Sequence, residues 1–340
     1  MSKSIVIYIL LSFIILFFCG KISYYLNLVD IPSKRKIHTK ATAYTGGIAI
    51  SIILLFSIIL FDSFDKNMSS ILSIGFLISV VGLIDDKYNL NIGGKLSLQV
   101  FPILYLLLFE NLTLNTIGDY GYFKIDLGTF SLTFTLMALL FLINSFNYFD
   151  GIDGMLGFAS ISVLSILYFL SFEHSNHALV NELNVKFFLI TIAIPISFFL
   201  FFNFSFFKLP KLFLGDSGSL FLGFIISFIL IYFANKNFIH PILLAWSVVI
   251  FVYEFLSINI IRLKYKKAIF KAGQDHLHHI LAKKTKSIFA TNFLICFMNI
   301  ILFLIGYFTY LFVNSLASLI IFVTCFMIFF IFRNKYSITK

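Results

Sequence analysis

The sequence predicts an all-α, polytopic membrane protein, and three observations carry that prediction. Of its 340 residues, 60% are apolar and only 12% charged, with a mean hydropathy of +1.01; water-soluble domains do not reach such values. The apolar residues gather in runs that suit helices crossing ~30 Å of hydrocarbon. The basic residues gather in alternate gaps between those runs, as expected where Lys and Arg stay on the cytoplasmic side.

Eleven runs are legible, at approximately 4–20, 46–61, 69–84, 96–110, 130–148, 155–172, 187–204, 219–234, 240–261, 288–309 and 312–332. The first, Ile5 to Cys19, has a weakly basic flank before it and the strongly basic stretch after it, so it reads as a retained span and not a signal peptide. With the N-terminus outside, the inner segments are 21–45, 85–95, 149–154, 205–218, 262–287 and 333–340, and they hold 20 of the 25 Lys and Arg. The outer segments hold Lys3, Lys66, Lys124, Lys186 and Lys236. About eleven spans with a cytoplasmic C-terminus follow, in one integral membrane domain over 1–340. The net charge of +10 is then a topology signal and does not call for nucleic acid. Outer segment 111–129, with Tyr122, Lys124 and Asp126 near Gly118, Gly121 and Gly128, reads as a small hairpin. Cys19, Cys296 and Cys325 lie in apolar runs without ligand spacing. Glu254 lies inside the ninth run, where a carboxylate either serves function or pairs within the bundle.

Five clusters fall on the inner side. Asp30, Arg35, Lys36 and His38 precede the Gly46-Gly47 pair; alone they are a basic anchor followed by glycines that permit close backbone approach. Asp85 and Asp86 stand side by side after Gly82, with Lys95 and Gln99 beyond; adjacent carboxylates at a membrane boundary call for a cation or a basic group nearby. Asn144, Asn147 and Asp150 repeat every third residue and would share a helix face, with Asp153 following and Gly151 and Gly154 breaking the helix. Hard oxygen ligands in such a row suit magnesium completed by substrate phosphates and water. Asp216 sits among small residues in Phe213-Leu-Gly-Asp-Ser-Gly-Ser219, where it could also be a helix N-cap. His276, His278 and His279 follow Asp275 in a loop rich in Lys and Arg; without partner cysteines they suit pyrophosphate contacts better than zinc. Acids facing a metal, with Lys and His around them on one side of a membrane, describe metal-assisted phosphoryl chemistry.

These residues resemble the polyprenyl-phosphate N-acetylhexosamine-1-phosphate transferases, glycosyltransferase family 4. The segments GLIDDK, NSFNYFDGIDG, FLGDSGS and DHLHH occur in family order, and the likeness runs from about Asp30 to His279. Arg35-Lys36-Ile-His38 and His276-Leu-His278-His279 resemble the hexosamine branch more than the branch that acts on the pentapeptide-bearing muramoyl nucleotide. Two departures stand out: the stretch before Gly46 lacks the prolines frequent in the family, and Asp275 adjoins His276 directly.

The resemblance implies transfer of a sugar-1-phosphate, GlcNAc-1-phosphate first among candidates, from a UDP-sugar to undecaprenyl phosphate with release of UMP. It implies a bacterial inner-membrane enzyme that initiates a lipid-linked surface glycan such as O-antigen in lipopolysaccharide, working alone or as a homodimer. By position, Asn147, Asp150 and Asp216 resemble the shell of Mg²⁺, with Mn²⁺ an alternative, and Asp153 a nucleotide contact. Asp85 and Asp86 resemble the pair beside the lipid phosphate, and Lys95 a phosphate contact. Asp85, Asp86, Asp150 and Asp216 form the expected catalytic set. Substrate contacts are expected from Lys95, Asn144, Asp153, Arg35, Lys36, His38, His276, His278 and His279. The alternatives are another UDP-N-acetylhexosamine, phospho-MurNAc-pentapeptide transfer, or cation-coupled transport. Transport would bury ionisable groups at the midplane of broken helices, often with internal repeats, and the acids here gather at the inner ends of the runs.

Overall fold

A computed structural model describes residues 2–32, 40–173, 179–266, 273 and 275–338. Thirteen α-helices are described, with short 3-10 turns at Gly128–Phe130 and Phe206–Lys208. In chain order they are α1 (Ser2–Tyr25), α2 (Gly46–Leu60), α3 (Lys66–Tyr88), α4 (Ile92–Phe109), α5 (Ser131–Phe149), α6 (Met155–Glu173), α7 (Leu179–Asn203), α8 (Gly215–Asn235), α9 (Pro241–Ser247), α10 (Val249–Lys264), α11 (Leu277–Thr285), α12 (Ile288–Phe312) and α13 (Ser315–Ile338). Two antiparallel pairs complete it, β1 (Val29–Asp30) with β2 (Thr42–Ala43) and β3 (Thr116–Asp119) with β4 (Lys124–Asp126). The second is the hairpin expected in 111–129. Each of the eleven apolar runs is helical. Among the described residues, nine helices are long and apolar enough to cross a membrane; α9 and α10 together make a tenth, and α2 is a shorter apolar helix. The protein is an all-α polytopic membrane protein.

Sequence sets the helix ends where local chemistry is strong. The Asp65 carboxylate accepts from the Met68 amide at 2.8 Å to start α3, and Asn89 closes it in the left-handed region at φ 50°. Asn91 then caps α4 through the Gly94 amide at 2.7 Å. These are the caps expected of Asp and Asn. Lipid accounts for the outward faces: Phe101, Phe293 and Phe312 are 72%, 71% and 81% exposed, which water would penalise and hydrocarbon does not.

The chain packs as two compact units, Met1–Asn111 with Ser175–Phe228, and Leu112–His174 with Ile229–Lys340. In the first unit, α2 packs on α1, α3 and α7, and α3 on α4. Buried hydroxyls tie these helices: Ser51 and Ser79 hydrogen-bond at 2.8 Å, and the Tyr8 hydroxyl donates to the Thr191 carbonyl at 2.9 Å. In the second unit, α12 packs on α6, α9, α11 and α13, and α10 on α5 and α13.

The ninth run departs from expectation, because 240–261 is not one straight helix. It breaks at Val248, where α9 and α10 bend by 74°. A break inside a membrane frees backbone groups that must find partners. Asn299 of α12 supplies them: its amide donates to the Ser247 carbonyl at 3.1 Å, and its oxygen accepts from the Ile250 amide at 3.3 Å. Gly306 of α12 lets the Trp246 ring approach, since a Cβ there would lie 2.1 Å from it. The expected loop 262–287 also differs, holding helix α11.

Candidate active site

In the first unit, glycines bring the Gly46-Gly47 pair together with the clusters around Asp85 and Asp216. Backbone bonds run from the Gly46 amide to the Phe213 carbonyl at 3.0 Å, from Gly47 to Leu214 at 2.9 Å, and from Phe213 to Ala43 at 2.8 Å. A Cβ on Gly47 would fall 2.0 Å from the Gly218 nitrogen, and one on Gly82 would fall 2.4 Å from the Asp216 carbonyl oxygen. The start of α2, the end of α3 and the start of α8 therefore meet backbone to backbone, which side chains there would prevent.

On this platform lie Asp85, Asp86, Lys95 and Asp216. The Lys95 ammonium is 2.7 Å from an Asp85 oxygen and 2.6 Å from Asp216 Oδ2. The tight Asn89–Asn91 turn folds α4 back so that Lys95 stands over the last turn of α3. The Asp85 side chain is buried, and its other oxygen accepts from the Leu90 amide at 2.8 Å. An ammonium between two carboxylates offsets a repulsion that would otherwise drive one of them to bind a proton. By resemblance Asp85 sits with a lipid phosphate and Asp216 with a metal; the structure brings both onto one lysine.

Asp86 points elsewhere. Its Oδ1 accepts from the Asp216 amide at 2.9 Å and its Oδ2 from the Ser217 amide at 3.2 Å, so the carboxylate sits on the positive end of α8. Gly215 makes room for it, at φ +72° and with a would-be Cβ only 2.6 Å from Asp86 Oδ2. The N-cap considered for Asp216 is corrected: Asp216 lies within the first turn of α8, and Asp86 supplies the acceptor. Asp86→Asn, which would set an amide N–H against a backbone N–H, is expected to destabilise by about 2 kcal/mol, read as a lower melting temperature in detergent.

In the second unit the remaining two described clusters meet. The α5 helix ends at Phe149, and Asp150 follows it at φ −85°, ψ 62°. Asp150 therefore does not continue the helical face of Asn144 and Asn147 as expected. Aspartate competes for backbone hydrogen bonds and the following glycine removes any constraint to stay helical. Asn144 is buried, and its amide donates to the Leu140 carbonyl at 2.7 Å. The loop is tied at Asp153, whose carbonyl accepts from the Asn292 amide of α12 at 2.8 Å.

The histidines pack on this loop. A Cβ on Gly151 would lie 2.0 Å from His278 Nε2. His276 packs edge-on to the Tyr148 ring at 5.0 Å and stacks parallel to His278 at 5.6 Å. His278 is fully buried, and neither ring nitrogen has a hydrogen-bond partner among the described residues. Burial, then the Arg262 charge, pushes His276 down to about 3, and burial pushes His278 well below the usual histidine range. Both are neutral at pH 7 and bring hydrogen-bonding capacity, not positive charge, to this loop. Burial opposes ionisation of Asp275, but the Arg262 guanidinium, at 2.8 and 3.2 Å, outweighs it and holds the carboxyl at about 2.

The His276 shift gives a pH dependence. Its folded pKa lies below the ordinary 6.5, so the unfolded chain binds its proton first and stability falls as pH drops from about 6.5 toward 3. The paired Asp275 keeps its contribution until pH falls below about 3.8. Melting temperature should therefore decline between pH 7 and 5, and less so in His276→Gln.

Arg35, Lys36 and His38 lie outside the described residues. The polar partners that sequence reasoning passed over are Arg262, Asn292, Asn299 and Arg333. Each interrupts or ends an apolar run, and that is a signal; in the sequence the two arginines read only as topology charge.

An all-α membrane protein with part-buried acid and lysine and buried histidines at its helix ends holds the groups that membrane-embedded enzymes use. The family model described as "Glycosyl transferase family 4" matches residues 68–234, from the start of α3 to the end of α8. The chain is 26% identical over 286 residues to an undecaprenyl-phosphate alpha-N-acetylglucosaminyl 1-phosphate transferase of Escherichia coli O157:H7, covering 83% of this chain and 76% of that one. Proteins of the same name from Yersinia pestis and Pasteurella multocida are 25% and 28% identical, each over 83% of this chain and 77% and 79% of theirs. Over 68–234 the chain is similar to glycosyl transferase family 4, as its motifs led one to expect, and it is an enzyme.

Proposed function

We propose that the protein transfers N-acetylhexosamine-1-phosphate, with GlcNAc-1-phosphate the leading candidate, from a UDP-sugar to undecaprenyl phosphate in the bacterial inner membrane. The observation that carries this is the Asp85–Lys95–Asp216 cluster in a chain whose relatives bear that name. An oxygen of the acceptor phosphate attacks the sugar-bearing phosphorus, the P–O bond to the uridine phosphate breaks, and UMP leaves. A phosphate is already ionised at neutral pH, so Asp85 and Lys95 serve to admit and orient it without taking a proton. Lys95 can exchange its carboxylate partners for phosphate oxygens as the acceptor arrives, by the same charge-assisted bonding.

Magnesium stands as part of the proposal on donor chemistry. Among the described residues no three His, Cys, Asp or Glu side chains gather as a metal site. Magnesium takes one or two carboxylates plus substrate phosphates and water; Asp216 offers such a carboxylate in the first unit, and Asn147 and Asp150 an amide and a carboxylate in the second. When bound it would neutralise charge on the leaving phosphate. Asp153 stands as a nucleotide contact, and His276 and His278 as neutral hydrogen-bonding groups, with His279 beside them, around sugar or pyrophosphate. The product would prime a surface glycan such as O-antigen.

The eleven-span topology, N-terminus outside, rests on the basic-residue count; a reporter fused at the C-terminus should read as cytoplasmic. The reaction is tested by giving purified protein undecaprenyl phosphate, Mg²⁺ and a panel of UDP-N-acetylhexosamines, with UMP release as readout. Release with one or more is expected; folded protein that releases none contradicts the proposal.

A further inference from the structure

Glu254 is 1% exposed in the middle of α10, and its partners come from two other elements. Oε2 accepts from Arg333 Nε at 2.8 Å and Oε1 from Arg333 Nη2 at 3.0 Å, so α13 sends a guanidinium onto it two-pronged. Oε1 also accepts from the Leu277 backbone amide, the first of α11, at 2.9 Å. Arg333 Nη2 donates in addition to the carbonyl of Asp275. His276, in the N-cap position of α11, makes no side-chain cap; the carboxylate of Glu254 replaces it. With the Arg262–Asp275 pair, the backbone on both sides of His276 is fastened by α10 and α13.

A buried ion pair is a poor way to add stability, since apolar residues of similar volume often do as well or better. It does fix geometry, because charged groups in an apolar site accept few arrangements. We infer that Glu254 and Arg333 are positioning residues: the pair clamps the start of α11 so that His276, His278 and His279 are held in one arrangement for substrate. It touches no substrate itself. The proposal rests on the transfer reaction above only in taking this histidine segment to be used in it.

The test combines hydrogen exchange with kinetics in three full-length proteins: wild type, Arg333→Lys, and the apolar double variant Glu254→Leu with Arg333→Met. The lysine keeps the charge but not the fork that reaches both Glu254 and the Asp275 carbonyl. The double variant removes both charges without stranding either. In each, amides of 277–280 should exchange about 10-fold faster or more while α3 and α8 keep wild-type rates, as for loss of a local clamp. The kcat/KM for the UDP-sugar should fall about 10-fold or more, the scale of losing a supporting shell, with melting temperature little changed. Unchanged exchange at 277–280 would overturn the proposal. So would exchange raised uniformly with a collapsed melting temperature, which would make the pair general support. If wild type releases no UMP, the transfer reading fails, and the exchange pattern still decides the clamp.

Discussion

Lys95→Ala is expected to lower kcat about 100- to 1000-fold, the usual cost of removing a charge-stabilising group from an active site, while the protein stays folded. The lysine ammonium lies 2.7 Å from Asp85 and 2.6 Å from Asp216. Without it the two carboxylates face each other unscreened, and one must take up a proton or turn away. Either outcome removes an anionic ligand from the place where phosphate and its counter-ion are to be handled. Lys95→Arg should recover part of the loss, because charge is restored while the planar fork cannot reproduce a single Nζ shared by two acids. The measurement is UMP release at saturating substrates beside a melting curve. Wild-type turnover in Lys95→Ala would remove the lysine from the reaction.

Gly47→Ala is expected to be the most damaging single methyl group in the first unit. Its Cβ would lie 2.0 Å from the Gly218 nitrogen and 2.1 Å from the Gly218 Cα. Both neighbours are backbone, so no side chain can swing aside, and α2 and α8 would have to part by more than 1 Å. Overpacking of this kind costs about 3 kcal/mol. A shift of about 1 Å in catalytic groups costs about 100-fold in rate, and Asp216 sits one turn from the clash. Gly93→Ala is the matched control, since its Cβ would meet only Asn91 Oδ1 at an ordinary 3.6 Å. It should leave activity unchanged and raise helix stability by up to about 1 kcal/mol. Equal behaviour of the two variants would show that the glycine contact is not what holds the platform together.

Much of this architecture is legible in the sequence because lipid imposes simple rules. Apolar runs had to become helices, and they did, from Ile5 to Phe332. The Gly46-Gly47 pair signals close backbone approach, and Gly46, Gly47, Gly82 and Gly215 are where backbones meet acids or each other. Pairing across long sequence distances was not legible. Lys95 and Asp216 are 121 residues apart and Glu254 and Arg333 are 79 apart, and hydropathy reports what enters lipid without reporting which polar groups meet there. The break at Val248 was hidden for the same reason. The freed backbone is satisfied by Asn299, which lies in a different apolar run and supplies the bonds that the bent backbone gives up. Asp86 shows how like residues diverge: beside Asp85 in sequence, it faces α8 amides while its neighbour faces Lys95.

The central claim is that a sugar-bearing phosphate, and not the sugar alone, moves to the lipid. UDP-GlcNAc labelled with ³²P in the sugar-bearing phosphate, incubated with the protein, undecaprenyl phosphate and Mg²⁺, tests it directly. The label should pass into the organic-extractable lipid as unlabelled UMP appears. Label retained in UDP while sugar reaches the lipid, or label that never leaves the sugar nucleotide, would contradict it.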